Sequence, residues 1–458
     1  MINYLILIIY KYLITYILII MFLSVIILAA GKGTRMNSSK PKVFHEIANY
    51  PLLYHVVDSI KQLKPNSFNI VISNEIAEKT KEISKLYKDQ NLKFSVQKKQ
   101  LGTGHAVKCV KDLRYVNIHD VTLILFADTP LIKINTLKKL VLKCKNKADL
   151  TILAMQPEDP KNYGRVMLKN GIVEKIVEFS EATPEDKKIS LCNSGVMAVK
   201  TKLLLDFLTN LNSNNSKKEF FLTDLVDIFV KNKKTVVYHK CDYEETLGVN
   251  DREDLHHINN IFQKLKYQNL SKNGVSILDK NSVYFSYDTK IGKDSVIYPN
   301  VYFGKNVKID KNVKVKSFSN LEDVYIAENC EIGPFARIRN HTNIEKDTRI
   351  GNFVELKKSK ISQNVKISHL SYIGDASIDL NTNIGAGTIT CNYDGKNKNK
   401  TEIGENCFIG SNSSLIAPIK IKKNSIVGAG TVLKNDVSRN TTVFRKSTLV
   451  KKKNMKSK

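Results

Sequence analysis

The sequence predicts an α/β chain in two parts: a domain built on a largely parallel sheet covered by helices, then a parallel β-helix. Two observations carry this. From Ile291 to Asp436 a six-residue unit repeats, beginning IGKDSV, IYPNVY, FGKNVK and IDKNVK, and each unit opens on an aliphatic or aromatic residue. Between Met21 and about Asp254 short apolar runs alternate with helical stretches instead, which is the pattern of strands joined by helical crossovers. No amphipathic helix or hairpin sheet needs a period of six. Such a period sends one side chain inward per short strand, turns at Gly or Asn, and stacks the inward residues of successive coils into a column.

Residues 1–20 are almost wholly Ile, Leu and Tyr, interrupted by Lys11. Tyr12 to Ala30 carries no charge and is long enough to cross a bilayer. A secretory signal is not indicated, because the positive n-region and small-residue cleavage site are missing, and Ser24 to Ala30 is required as a buried strand. The expectation is an apolar extension ahead of a natural start at Met21, with no membrane association. Strands are predicted at Ser24–Leu28, Asn69–Ile72, Leu123–Phe126, Leu150–Ala154 and Thr235–Tyr238. Helices are predicted at Pro51–Leu63 and at Leu222–Val230, the second opened by the cap-like Thr223 and Asp224. Apolar residues from Leu255 to Leu270 at helical spacing predict one linking helix. The expected domains are therefore 21–254, a helical linker 255–275, and 276–458 with a basic tail.

A chain of 458 residues allows two or three domains. Its formal charge of +28 is spread as Lys along the whole length and condenses only at the tail, Lys451 to Lys458. No nucleic-acid-binding motif accompanies it, so the excess reads as a solvated surface and no nucleic-acid partner is expected. The seven cysteines form no CxxC pair and no zinc spacing, which favours reduced thiols in a cytoplasm over a disulfide scaffold.

After the first strand comes LAAGKGTRM, Leu28 to Met36, then Pro41 and Lys42. Small residues let backbone N–H groups approach phosphate oxygens, and Arg35 and Lys42 can neutralise charge. Gln97 and QLGTGHA, Gln100 to Ala106, add amides and a second Gly-rich turn suited to a base edge. FADTPL puts Asp128 just past a strand, where a parallel sheet opens onto its ligand crevice. NYGRV around Gly164, VEF with Glu178, CNSG with Asn193 and GVND with Asn250 complete the set. Each item alone is more often a turn or cap than a ligand.

In this order the motifs resemble those of the sugar-phosphate nucleotidyltransferases. Over nearly the whole chain after Met21 they resemble the bifunctional bacterial enzymes that join N-acetylglucosamine-1-phosphate uridyltransferase to glucosamine-1-phosphate N-acetyltransferase. The resemblance implies an N-terminal Rossmann-like nucleotidyltransferase domain and a C-terminal left-handed parallel β-helix of hexapeptide repeats. It implies that Leu28, Ala29, Ala30, Gly31, Lys42, Gln97, Gly102 and Thr103 hold UTP, that Gly164, Glu178, Asn193 and Asn250 hold the sugar nucleotide, and that Asp128 and Asn250 bind Mg²⁺. The sugar 1-phosphate is already an anionic nucleophile, so the step needs alignment and charge neutralisation, from Mg²⁺, Arg35 and Lys42, and no general base. Where the family has Tyr-Gly-Asp this chain has Phe126-Ala127-Asp128, which removes a hydroxyl and adds a methyl.

In the repeat, Arg337, Arg339 and Lys357 cluster, His369 and Tyr372 follow, and the period fails over Cys391 to Thr401, which predicts a loop leaving the coil. For this half the resemblance implies acetyl transfer from acetyl-CoA to glucosamine 1-phosphate. Arg339 and Lys357 would grip the phosphate, Tyr372 and Asn383 the sugar, and Ala386, Asn392, Tyr393, Ser411, Ala429 and Lys446 the acetyl-CoA. His369 would be the general base, since an amine attacks only when neutral. Asn340 stands where the family has Pro, and Arg445 or Lys446 where it has a late arginine. The resemblance also implies small-molecule substrates and a homotrimer. Two other readings remain at this point: a nucleotidyltransferase with a purely structural β-helix, and a membrane-tethered basic scaffold.

Overall fold

The computed structural model describes residues 22–80, 83–84, 92–113, 120–213, 215 and 218–446. The apolar extension at 1–20 and the lysine tail at 451–458 lie outside these residues. Among the described residues no helix is long and apolar enough to cross a membrane. The chain divides into two compact units between Ile261 and Phe262, inside one long helix, Arg252–Lys272.

The first unit is a mixed sheet whose main path runs, edge to edge, Val236–Lys240, Leu150–Met155, Cys192–Lys200, Val121–Phe126, Leu23–Ala29, Ser67–Ile72, Leu92–Val96. Every neighbouring pair is parallel except those made by Cys192–Lys200, which runs antiparallel to both of its neighbours. The five predicted strands are present within a residue or two. Leu92–Val96, Cys192–Lys200 and the antiparallel pair Arg165–Lys169 and Ile172–Val177 are added to them.

Alternation along the first strand builds two cores. Val25 and Ile27 face helices Leu52–Lys61 and Ile134–Lys147, whereas Ile26 and Leu28 face Thr103–Lys108, Thr201–Leu208 and Asp224–Lys231. A strand buried on both faces reads as a continuous apolar run, as LSVIILA does. Leu23–Ala29 pairs with Ser67–Ile72 on one side and Val121–Phe126 on the other. The loops leaving the carboxyl ends of these strands therefore diverge and open a crevice there.

The second unit is a stack of coils in which three parallel sheets of ten, eight and eight short strands run along three faces. Ile297, Val315, Ile332, Ile350, Ile367, Ile384 and Ile409 form one inward column of a core made almost entirely of such residues. The corners need left-handed backbone, which Asn tolerates best after Gly. At one corner Asn312, Asn329, Asp347, Asn364 and Asn381 hold φ between 56° and 63°. Their side chains bond coil to coil, as in Asn312 Nδ2 to Asn329 Oδ1 at 2.8 Å and Asn364 Nδ2 to Asn381 Oδ1 at 2.9 Å. At another corner the same backbone is taken by Phe318, Phe335, Phe353 and Leu370. The rings stack at 4.9 Å while remaining 53%, 44% and 54% exposed.

Coil spacing leaves no room for side chains at particular glycines. A Cβ on Gly351 would overlap the carbonyl oxygen of Ser368 on the next coil, which is backbone and cannot yield. Gly351→Ala is expected to cost roughly 1–3 kcal/mol, the usual penalty of overpacking, and to lower the denaturant midpoint of the second unit. A variant as stable as the parent in urea melts followed by circular dichroism would contradict this coil spacing.

Candidate active sites

A cleft of about 580 Å³ opens at the carboxyl end of the first unit's sheet. It is lined by Leu28, Ala29, Ala30, Gly31, Lys42, Gln97, Gly102, Thr103, Asp128, Gly164, Glu178 and Asn193. Sequence motifs up to 165 residues apart thus converge on one cavity. Arg35 and Asn250 lie outside this lining but are joined to each other, Arg35 Nη2 donating to Asn250 Oδ1 at 3.0 Å. The Val249 N–H donates to the Asp128 carbonyl at 3.0 Å, which brings Asn250 beside Asp128.

At one end of the cleft the Gly-rich turn is built by close contacts. Gly102 holds φ 102°, and a Cβ there would strike the Phe220 backbone. Gln97 is buried and donates from Nε2 to the Gly102 carbonyl at 3.0 Å, so its Oε1 is the end left for a ligand. Gln100 donates to the Ala30 carbonyl at 2.6 Å and ties the two glycine-rich loops together. The Thr103 hydroxyl accepts from Leu222 N at 3.0 Å.

At the other end Gly164, Glu178 and Asn193 meet Thr223, which sequence reasoning treated only as a cap. Thr223 makes no side-chain cap bond; its hydroxyl donates instead to Glu178 Oε1 at 2.9 Å and lines the cleft. Asn193 N donates to the Gly164 carbonyl at 2.8 Å, and Asn193 Oδ1 accepts from Gly195 N at 3.1 Å at a bulge in the antiparallel strand. Gly195 holds φ 84° with the Phe126 ring against it, where a Cβ would collide. The Ala127 methyl packs into the core, and Asp128 lines the cleft. Arg165 is buried and donates to the carbonyls of Pro160, Lys161 and Tyr163, fixing the turn that carries Asn162 and Tyr163 into the wall.

Asp128 and Asn250 are hard oxygen donors, one carboxylate and one amide. Mg²⁺ commonly takes one or two such ligands from protein and the rest from phosphates and water. Among the described residues no group of three His, Cys, Asp or Glu gathers. Both oxygens attract cations: Asp128 Oδ2 is paired with the Lys42 ammonium, and Asn250 Oδ1 with the Arg35 guanidinium. The donor set fits the ion.

In the second unit the predicted residues fall on two neighbouring faces. Arg339 and Lys357 are in register on successive coils, and Lys357 is followed one coil on by Gly374. Glu355 Oε1 accepts from Arg339 Nε at 2.9 Å and Nη2 at 2.6 Å, and Asn340 Oδ1 takes Nη1 at 3.0 Å. A Cβ on Gly374 would strike both the Tyr372 hydroxyl and the Asn392 amide, so those two groups converge there. The loop from Cys391 to Thr401 leaves the coil as expected and is tightened by Asp394 Oδ1, which accepts from Lys396 N at 2.8 Å and Asn397 N at 2.6 Å. It carries Lys398 to the Lys357 ammonium. That contact, with Arg339 nearby, holds the Lys357 pKa below the usual lysine value.

His369 ends a strand on the adjoining face, where Nδ1 lies 2.5 Å from Asn352 Oδ1. The two are in register one coil apart, and both line a second cleft of about 230 Å³. Asn383 lies on the same face, in register with Lys366 and Phe408. Ala386, Ser411 and Ala429 recur at one corner, with Asn412 N on the Ala386 carbonyl at 2.7 Å and Gly430 N on the Ser411 carbonyl at 2.8 Å. Lys446 is exposed. Asn352 was missed although the repeat itself points to it, one coil before His369. Lys398 was missed because the six-residue period fails across KNKNK.

Residues 24–248 match the nucleotidyl transferase family model, and residues 400–435 match the hexapeptide repeat of succinyl-transferase. A "Bifunctional protein GlmU" of Zymomonas mobilis is 42% identical over 93% of this chain and 94% of its own length. The protein of that name from Wolbachia pipientis is 41% identical over 93% of this chain and 98% of its own. That from Bartonella quintana is 42% identical over 94% and 96%.

Burial, with Asp227, Glu181 and Glu178 nearby, pushes the Asp224 carboxyl beside Thr223 up to about 6, from 3.8. A raised carboxyl opposes folding at pH values above its ordinary range. The handicap is absent below about pH 4, grows as pH rises through 6, and is full above that. Asp224→Asn should therefore be more stable than the parent at pH 8, with a gain that shrinks toward pH 4.5 in urea titrations. An equal gain at both pH values would contradict this.

Proposed function

The chain belongs to the family of bifunctional GlmU proteins, and from that membership we propose how its residues divide two transfers between them. It is a bifunctional transferase of UDP-N-acetylglucosamine synthesis, with acetyltransferase and uridylyltransferase activities. The observation that supports the residue assignment is the convergence of the glycine-rich and acidic motifs on one cleft in the first unit; in the second, the assigned residues lie on two neighbouring faces, and the ejected loop carries Asn392 to Asp375 beside one of them.

For uridylyl transfer, the Gly-rich loop from Leu28 to Gly31, with Gly102 and Thr103, cradles UTP, and the free Gln97 Oε1 accepts from the uracil edge. Glu178, Asn193 and Thr223 orient N-acetylglucosamine 1-phosphate against the Gly164 backbone. Its phosphate oxygen attacks the α-phosphorus, the bond to the β-phosphate oxygen breaks, and pyrophosphate leaves. Lys42 and Arg35 neutralise the charge that builds on the phosphoryl oxygens. Asp128 and Asn250 would hold Mg²⁺, which supplies further neutralisation when bound.

For acetyl transfer, Arg339, Lys357 and Lys398 take the phosphate of glucosamine 1-phosphate, while Tyr372 and Asn383 face its sugar. The amine attacks the thioester carbonyl of acetyl-CoA, His369 removes its proton, and the CoA thiolate leaves. What supports His369 as base is the contact to Asn352: Nδ1–H donating to the amide oxygen leaves Nε2 as the lone-pair nitrogen. Ala386, Asn392, Tyr393, Ser411, Ala429 and Lys446 are assigned to acetyl-CoA. The exposed stripe of Phe318, Phe335, Phe353 and Leu370, beside the His369 cleft, supports assembly with further copies of the chain, as a trimer. Seven free cysteines suit a reducing cytoplasm.

Glucosamine 1-phosphate, acetyl-CoA, UTP and Mg²⁺ should release thiol and pyrophosphate together. His369→Ala should lose thiol release by at least a hundredfold, the scale of a general base, and keep pyrophosphate release when N-acetylglucosamine 1-phosphate is supplied. Asp128→Ala should do the reverse. Asn352→Leu should lower acetyl-transfer kcat about tenfold or more with KM for glucosamine 1-phosphate little changed, and Asn352→Asp, which keeps the acceptor, should recover most of it. Thiol release that survives His369→Ala would remove the histidine from the chemistry.

A further inference from the structure

Each of the two residues assigned to the metal already has an oxygen in use. Asp128 Oδ2 is bound by Lys42 and Asn250 Oδ1 by Arg35, although the two acceptors come from different segments, one after the strand Val121–Phe126 and one before the helix Arg252–Lys272. Both cations come from a single loop, Gly31 to Lys42. The loop is shaped to bring them together: Gly33 and Asn37 hold φ 61° and 46°, and a Cβ on Gly33 would crowd the Lys42 side chain. The Lys42 and Asp128 side chains are only 14% and 22% exposed, so solvent screens them little.

We propose that Lys42 and Arg35 are stand-in cations for the divalent ion, and that metal and nucleotide enter by exchange. This rests on the reading of Asp128 and Asn250 as the metal-holding pair. A dication cannot approach a carboxylate oxygen that an ammonium already touches without strong like-charge repulsion. Nucleotide phosphate oxygens offer Lys42 and Arg35 a new anionic partner, and the loop that moves toward them uncovers both donors at once. Metal and nucleotide therefore favour each other's binding by the same factor, and the nucleotide-free cleft resists divalent ions.

The test uses the full chain with Mn²⁺ as a spin-active probe of oxygen sites, its free concentration read by electron paramagnetic resonance. Without nucleotide, Lys42→Met should bind Mn²⁺ at least tenfold more tightly than the parent, and Lys42→Arg, which keeps the charge, should not. Lys32→Met is the control, because Lys32 lines the same cleft on the same loop and its loss changes the net charge equally; it should shift Mn²⁺ affinity less than threefold. UDP-N-acetylglucosamine should tighten Mn²⁺ binding to the parent and do so far less in Lys42→Met. Thermal midpoints with and without Mn²⁺ give a second readout that does not depend on turnover. If Lys42→Met binds Mn²⁺ no better than Lys32→Met, the exchange is wrong. If, with UDP-N-acetylglucosamine present, Asp128→Asn keeps the parent's Mn²⁺ affinity, the metal site itself is misplaced, which is a separate failure.

Discussion

Almost everything in the second unit follows from one constraint: strand backbone N–H groups donate to carbonyls one coil away. Examples are Val296 N to Val313 O and Arg337 N to Val354 O, at 2.9 and 3.0 Å. With the ladders running along the coil axis, residues about one coil apart are forced into contact. Inward, this makes the isoleucine column. At the corners it lines up asparagines that bond side chain to side chain. Outward, it puts Arg339 over Lys357 and Asn352 under His369. These outward side chains need no special device to meet, because stacking brings them together. The ejected loop leaves this intact, since Asn383 pairs directly with Phe408 across it. An insertion can thus be used to deliver Asn392 and Lys398 without disturbing the coil.

The first unit solves the same positioning problem through sheet topology. Because Leu23–Ala29 lies between Ser67–Ile72 and Val121–Phe126, the loops after all three strands leave on one edge and diverge. The antiparallel strand Cys192–Lys200 then enters beside Val121–Phe126 and presents Asn193 at a bulge. Phe126 against Gly195 shows how tightly this is fitted: a ring fills space that a side chain at position 195 would otherwise claim. Burying a guanidinium is costly unless its donors are satisfied, and Arg165 satisfies several of them with carbonyls of a single turn. Its charge therefore acts as a clasp on the cleft wall.

The β-helix was legible because its period exposes every inward position at once, and the buried parallel strands because each is an uninterrupted apolar run. Cys192–Lys200 was not legible: Asn-Ser-Gly within it reads as a turn, and only the bulge reconciles those residues with a strand. The exposed pair Arg165–Lys169 and Ile172–Val177 carries too few buried side chains to show an apolar pattern. Leu92–Val96 is an edge strand with Lys93 and Ser95 in it and is similarly faint. Among the site residues, those on glycine-rich turns were found by motif. Thr223 stands at the N-cap position as expected but makes no side-chain cap bond; the residue types that cap helices are the same hydroxyl donors that serve ligands, and the Glu178 contact shows where this hydroxyl is used.

In each unit one cation assigned to phosphate is paired with an acid: Lys42 with Asp128, Arg339 with Glu355. An unpaired cation in a partly buried cleft would lose solvation without return, and it would be free to adopt many rotamers, whose loss would weaken binding. A carboxylate partner restores the charge balance and aims the side chain. The consequences differ with geometry. Glu355 engages the Nε and Nη2 edge of Arg339 in a fork, leaving Nη1, shared only with Asn340, to turn toward a ligand; the acid there is a permanent brace. Asp128 meets the Lys42 ammonium head-on, at a point charge. The same kind of pairing therefore braces the guanidinium along one edge and meets the ammonium at a single point. That contrast follows from the difference between a planar guanidinium with several donors and a compact ammonium.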